Sequence, residues 1–355
     1  MRAVVRRGGK LVCDEIGDLK PEAGQTLVKT LACGICGSDL HALHYLDHMV
    51  EMTKRAGGGD RLKPDQDVVM GHEFCAEILD HGPGGGRFKP GTRVCSMPVA
   101  FGASGFEAIG FSNVLPGGYA ERMILSEAML LEVPNGLSTE HAALTEPMAV
   151  GAHAVAMAAL DKDSVCLVLG CGPVGLAVIA GLKLKGHGPI IAADFSPRRR
   201  QMAELLGADL VVNPADASPH TRWKDFGVPA TMMEHSIARM TGQLKGRPIV
   251  FECVGAPGVL QTVIEGCPPG AQVIVAGVCM EADKIEPSLA INKQLDLRFV
   301  LGYTPEEFAA TLGDIAEGRL NVAPLITGEV GLDGVAGAFE ALGNPEAHVK
   351  VLVKP

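Results

Sequence analysis

The 355-residue sequence has no internal repeat, no low-complexity tract and no long run of one charge sign. With 47% apolar and 20% charged residues, it does not have the composition of a disordered, collagen-like or mucin-like chain. Basic residues are in deficit, 31 against 41 acidic ones, which leaves a net charge of −10. Sequence-tolerant nucleic-acid binding needs a basic patch, and the only basic cluster is Arg198-Arg199-Arg200. That function class is set aside. A secretory leader is not expected either, because Met1-Arg2-Ala3-Val4-Val5 reaches Arg6 and Arg7 before any apolar core develops. One stretch, Val165 to Leu182, runs 18 residues without a charge. Its Gly170, Gly172, Pro173 and Gly175 make it a buried strand, a tight turn and a helix rather than a membrane span. A soluble, cytoplasmic protein is expected, with no membrane or nucleic-acid partner. With no leader expected and so large a chain, the ten cysteines are not expected to form a disulfide framework. Cys166, Cys171, Cys253 and Cys279 stand alone in apolar runs and read as small buried hydrophobes.

At about 100–200 residues per domain the length predicts two domains, and the sequence changes character near residue 150. Before that point lie short β-type runs, Gln25–Leu31, Phe74–Leu79, Thr92–Val99 and Ala120–Leu125, broken by Pro and Gly as in Pro116-Gly117-Gly118. After it, apolar strands at Val165–Leu169, Ile190–Asp194, Leu210–Val212, Ile249–Cys253 and Gln272–Ala276 alternate with helical stretches such as Arg198–Leu206 and Ala230–Met240. That alternation predicts βαβ units and a parallel sheet covered on both faces. From Pro305 the pattern is mixed again, and Val349–Val353 is a strand expected to rejoin the first domain. The expected division is 1–149, 150–302 and 303–355.

Gly170-Cys171-Gly172-Pro173-Val174-Gly175 is a G-x-G-x-x-G motif, which is weak alone in a chain with 45 glycines. Here it follows a strand, opens a helix, and is followed 19 residues after its last glycine by Asp194 at the end of the next strand. That context is what dinucleotide binding requires: a tight turn, close approach of backbone to the pyrophosphate, and a helix N-terminus facing it. Asp194 is expected to accept the ribose hydroxyls and repel a 2′-phosphate, favouring NAD over NADP. The arginine cluster, with Arg199 as a candidate coenzyme contact, pulls toward NADP unless it is the solvated first turn of a helix opened by Pro197.

Cys33-Gly34-Ile35-Cys36 has three readings: a redox pair, half of a zinc site, or a loop with one useful thiolate. A thioredoxin-like pair belongs at a helix start in a small α/β domain, and a structural zinc site wants a second cysteine pair nearby. The surrounding pattern is β, and Cys75 and Cys95 are solitary. A catalytic zinc site takes three protein ligands and keeps one position open. Its candidates are Cys36 and the Gly71-His72-Glu73 turn.

With these stretches, Gly117-Gly118-Tyr119-Ala120-Glu121 and Thr145-Glu146-Pro147, the chain resembles the zinc-dependent medium-chain dehydrogenase family along nearly its whole length. Within that family it is similar to the sorbitol and butanediol dehydrogenase branch. The matching segment at the first motif is Cys33-Gly34-Ile35-Cys36-Gly37-Ser38-Asp39-Leu40-His41. The resemblance implies an α/β protein: a doubly wound Rossmann coenzyme domain plus a mostly β, GroES-like catalytic domain. It implies zinc ligation by Cys36 and His72, with the third ligand left open between Glu73 and Glu146. Adjacent side chains of an extended segment point to opposite faces, so joint use of His72 and Glu73 would need a local distortion. The resemblance further implies a Ser38–His41 proton relay, backbone contacts to the nicotinamide at Val254, Val278 and Gly302, and Lys350 at the pyrophosphate. Asp39 is expected to support rather than to react.

Two departures from the family stand out. The four-cysteine lobe of its structural zinc should fall between about Val94 and Tyr119, where only Cys95 lies, so one zinc per chain is expected. The span from Cys36 to His72 is also longer than usual, placing an insertion within Ala42–Asp67 that is either a binding loop or a surface excursion. The activity implied is reversible oxidation of a secondary alcohol, diol or polyol by NAD, in a homo-oligomer, a tetramer ahead of a dimer. The competing readings are a primary-alcohol or aldehyde enzyme of the same fold, a zinc-free reductase, and a non-catalytic nucleotide-binding scaffold.

Overall fold

The short β-type runs of the N-terminal part become one seven-stranded sheet in a computed structural model that describes residues 1–59, 61–102 and 105–355. Its strands run in the order Leu130–Glu132, Arg93–Ser96, Glu73–His81, Gln25–Gly34, Lys350–Val353 and Ile326–Val330, with Arg122–Ser126 also paired to Gln25–Gly34. The C-terminal strand closes back antiparallel on Gln25–Gly34, Leu352 opposite Gly34 and Val353 opposite Cys33. Val28, Ile78, Met123, Leu125 and Val351 are buried in one core on this sheet. The run Thr92–Val99 is shorter than expected. Its strand ends at Ser96 and a hairpin, Val99–Gly102 with Gly105–Ala108, begins after Pro98, which has no N–H for a ladder.

The chain forms two compact units, Met1–Glu146 with Phe308–Pro355, and Pro147–Glu307. The second is built on six parallel strands in the order Leu210–Val212, Ile190–Ala193, Ser164–Leu169, Arg247–Glu252, Gln272–Val275 and Asp296–Phe299. In chain order that is 3-2-1-4-5-6, the doubly wound arrangement, whose order reverses beside Ser164–Leu169. The charge-free stretch resolves into that strand, the glycine turn and the helix Pro173–Leu184. Among the described residues no helix is long and apolar enough to cross a membrane. The last strand and a 3₁₀ helix, Pro219–Phe226, were not anticipated; the helix buries Trp223 completely.

The insertion is mostly helix, not loop. One helix runs from Gly37 to Arg55, because Ala42, Leu46 and Val50 recur at four-residue spacing on its buried face and Asp39 binds back to the Cys36 N–H at its start. It bends at Tyr45 (φ −123°, ψ 24°). There the Ala42 carbonyl accepts from Arg6 Nε at 3.0 Å, the kind of side-chain intrusion that bends helices. Arg6 Nη1 also donates to the Pro64 carbonyl at 3.1 Å, so one arginine holds both arms of the insertion.

Candidate metal and coenzyme sites

Cys36 precedes the first helix, and His72 and Glu73 enter from the turn before the Glu73–His81 strand. The distortion needed for both neighbours to face one point is supplied by Gly71. It sits at φ +99°, and a Cβ there would lie 2.8 Å from the Tyr119 ring and 2.9 Å from Cys33 Sγ. His72 lies outside the strand, so strict alternation begins only at Glu73. One donor atom from each of Cys36, His72 and Glu73 lies within 4.8 Å of the others, the only such convergent group of three among the described residues.

The surrounding groups fix these side chains. Asp39, fully buried, accepts from Tyr119 OH at 2.7 Å and from the Cys36 N–H at 2.9 Å. Its other oxygen stands 3.4 Å from His72 Nδ1. Burial works against the Asp39 carboxylate, but the adjacent imidazole prevails and keeps its pKa below the usual value. His72 Nε2 is 3.4 Å from Ser38 Oγ. Cys33 is buried, with its thiol pKa pushed well up by burial, so the pair Cys33/Cys36 divides into one inert thiol and one at the cluster.

Lys350 is the principal surprise. Instead of standing free for a pyrophosphate, it is 2% exposed, with Nζ 2.7 Å from both Glu73 oxygens and 3.0 Å from the Ile35 carbonyl. Burial alone would favour the neutral amine, yet the Glu73 carboxylate, with Cys36 and Glu146 also nearby, raises its pKa. Glu146, in the first turn of the helix Thr145–Met157, is nearly buried and stands outside the convergent trio. His41 follows Ser38 by one helical turn, on the same side, and partial burial lowers its pKa. Cys95, the lone cysteine where a four-cysteine lobe was sought, is buried and donates to the Ala142 carbonyl.

These donors fit a zinc ion. Thiolate, imidazole and carboxylate are its usual protein ligands, and bonds of about 2.0–2.3 Å in a tetrahedron put ligand atoms about 3.3–3.8 Å apart. The 4.8 Å limit observed needs only a small contraction. With Nδ1 turned to Asp39, Nε2 of His72 is the nitrogen left for a metal, the arrangement in which a carboxylate orients a ligating imidazole.

In the second unit the glycine turn is built for close approach. Gly170 takes φ +86°, and a Cβ on Gly175 would fall 1.8 Å from the Gly170 carbonyl oxygen. Gly172 faces open space apart from Arg199 Nη1, 3.9 Å from where its Cβ would be. Pro173 is the first helical residue and Val174 follows it. Asp194 accepts from the Cys171 and Ser196 N–H groups, both at 2.8 Å, which ties the strand end to the turn. Arg200 Nη1 is occupied by the Asp194 and Phe195 carbonyls. Arg199 Nη1 is 3.9 Å from Asp194, while its buried Nε has no hydrogen-bond partner. Val254 and Val278 are about half exposed at neighbouring strand ends, and Gly302 takes φ +66°. Sequence reasoning missed Glu252, whose Oε1 accepts from the Val254 and Gly255 N–H groups at 2.6 and 2.9 Å and shapes that edge. Its signal was an acid closing an otherwise apolar strand.

A mostly β unit with a thiol–imidazole–carboxylate cluster, and a doubly wound unit with a dinucleotide turn, define a zinc- and dinucleotide-using oxidoreductase. Comparison with known proteins agrees. Residues 22–135 match the family model "Alcohol dehydrogenase GroES-like domain", and residues 173–317 match "Zinc-binding dehydrogenase". The chain is 33% identical to (R,R)-butanediol dehydrogenase of Bacillus subtilis, over 96% of each protein. It is 27% identical to sorbitol dehydrogenase of Gallus gallus, over 100% of this chain and 96% of that one. The crystal structure of 2R,3R-butanediol dehydrogenase from Bacillus subtilis matches with a TM-score of 0.79 at 30% identity, covering 100% of this chain and 99% of the other. The chain belongs to the zinc-dependent medium-chain dehydrogenases, in their sorbitol/butanediol dehydrogenase-like branch, and is an enzyme of the alcohol/polyol dehydrogenase type.

Proposed function

We propose that this enzyme interconverts a secondary alcohol, diol or polyol and its ketone, with NAD as the preferred hydride acceptor and one zinc ion per chain. The observation that carries the reading is the convergence of Cys36, His72 and Glu73 within 4.8 Å beside a helix that begins with Ser38 and His41. Cys36 and His72 would hold the metal, with Glu73 or Glu146 completing the set. A bound zinc supplies Lewis acidity that lowers the pKa of a coordinated hydroxyl. Ser38 Oγ, 3.4 Å from His72 Nε2, takes the substrate's hydroxyl proton and His41 passes it outward. Lowered in pKa by burial, His41 is neutral at pH 7 and ready to accept it. Gly172 opens the turn to the pyrophosphate, and Asp194 is placed for the adenosine ribose. Val254, Val278 and Gly302 hold the nicotinamide. NAD is favoured because Asp194 would face a 2′-phosphate, although Arg199 stands beside it. A cytoplasmic homotetramer completes the proposal. The test is the initial rate of NADH and NADPH formation on diols, polyols and simple alcohols with zinc-loaded protein. Turnover of secondary alcohols with NAD supports the reading. Turnover confined to NADP refutes the coenzyme assignment, and none on any alcohol with zinc verified bound refutes the activity.

A further inference from the structure

We infer that the insertion between Cys36 and His72 builds a binding pocket for an apolar arm of the substrate, so that the enzyme prefers secondary alcohols with an alkyl or aryl tail over polyols. This rests on the dehydrogenase reading above. A cavity of about 340 Å³ lies between the far half of the Gly37–Arg55 helix, its return arm and the Val99–Ala108 hairpin. Met49, Val50, Leu62, Phe106, Ala108 and Phe111 line it. Its size is at the small end of ligand sites, enough for a phenyl or short branched group.

Three features argue for an apolar occupant here. Phe111 belongs both to this cavity and to the metal cluster's surroundings, its ring centroid 5.4 Å from that of His72, so the cavity begins one aromatic ring from a proposed ligand. Of the polar side chains on its wall, Glu107 and Thr53 are engaged with the protein, and Arg61, half exposed, is tied to it through Nη1. Arg61 Nη1 donates to the Phe106 carbonyl at 2.7 Å and sits 3.4 Å from Glu107, whose other oxygen accepts from Ser112 Oγ at 2.7 Å. Thr53 Oγ1 donates to the Met49 carbonyl at 2.9 Å. A polyol placed here would bury hydroxyls against a mostly apolar wall with few hydrogen-bonding groups left over, whereas a methylene gains from leaving water. Finally, the wall is tied down: Asn113 clasps the return arm through the Lys63 N–H at 2.7 Å and carbonyl at 3.1 Å, and Arg6 links Ala42 of the helix to Pro64 of the return arm.

The experiment measures kcat/KM for 2-butanol, 2-hexanol, 2-octanol, 1-phenylethanol, 2,3-butanediol and sorbitol with zinc-loaded enzyme. Each buried methylene should raise kcat/KM about fourfold until the cavity is full, so 2-hexanol should exceed 2-butanol by about 16-fold. Ala108→Phe, which fills the cavity, should erase that gradient. Phe106→Ala, at an exposed wall position that tolerates change, should weaken it. Binding of 1-phenylethanol to metal-free protein, seen by saturation-transfer NMR and lost in Ala108→Phe, reads the pocket without turnover. A flat series, a gradient that survives Ala108→Phe, or sorbitol ahead of 2-octanol overturns the inference. Absence of turnover on every alcohol refutes the dehydrogenase reading instead, and the NMR comparison then decides the pocket alone.

Discussion

Removing the Lys350 ammonium tests both how the metal cluster is stabilised and whether Glu73 can serve as a metal ligand. In Lys350→Met the Glu73 carboxylate keeps its burial but loses the counter-charge that sits 2.7 Å from both its oxygens. Breaking a buried pair from one side costs about 3–5 kcal/mol, because the remaining ion is stranded, whereas replacing both partners with apolar groups is often neutral. Metal-free Lys350→Met and Glu73→Leu should each lose about 3–5 kcal/mol, and the double variant should lie near wild type, a coupling measured by the cycle of four proteins. Urea unfolding followed by circular dichroism is the assay, since the single tryptophan, Trp223, reports the other unit. Zinc adds a second axis. A bound cation offers the stranded carboxylate a new partner, so saturating zinc should restore more stability to Lys350→Met than it gives wild type, and should not do so for the double variant. A loss below about 1 kcal/mol in Lys350→Met, or strictly additive losses, would refute the argument.

Further predictions concern acid stability, coenzyme choice and proton transfer. Burial, aided by Lys293, holds the pKa of His220 down at about 4 against about 6.5 when unfolded. The unfolded chain therefore binds that proton first, and stability present above pH 6.5 should fall by about 3 kcal/mol on going to pH 4. Trp223 fluorescence would show this limb flattened in His220→Leu; equal slopes in the two proteins would sink the idea. Asp194→Ala should raise the NADP-to-NAD ratio of kcat/KM by about 100-fold, by removing like-charge repulsion worth several kcal/mol, and an unchanged ratio in steady-state kinetics would place the discrimination elsewhere. Ser38→Ala should lower kcat for alcohol oxidation about 100- to 10,000-fold, less at high pH where hydroxide takes the proton, with partial rescue by Ser38→Thr. A loss in KM alone would assign Ser38 to binding.

Legibility in the sequence followed how local each feature is. The glycine fingerprint, its strand and its helix are set within one βαβ unit, so periodicity and turn chemistry were enough to place them. Cys36, His72 and Glu73 stood out because the Cys-x-x-Cys spacing and the glycine turn are local signals too, although the surroundings of Cys36 read as β and it in fact opens a helix. The first half of the insertion went unread as helix although Ala42, Leu46 and Val50 carried the period, because its extra length between Cys36 and His72 suggested a loop or surface excursion. The sixth strand of the parallel sheet, Asp296–Phe299, alternates charge with apolar residues and gains its identity only by pairing with Gln272–Val275.

Lys350 shows where such reading stops. Its sequence setting, an alternating strand near the chain end, fits a surface cation as well as a buried one. What buries it is the antiparallel pairing of its strand with Gln25–Gly34, which carries residue 350 across 277 positions of chain to Glu73. The same pairing aligns Leu352 with Gly34, two residues from Cys36. The segment that supplies the ammonium thus also braces the turn that supplies the thiol. A carboxylate neutralised by that ammonium is a weaker competitor for a metal than a free one. On the proposed reading, Glu73 would reach a metal only as Lys350 releases it, and Glu146, whose charge also acts on Lys350, would be the alternative donor while the pair stays closed. The choice between the two acids that the sequence left open would then turn on one buried lysine.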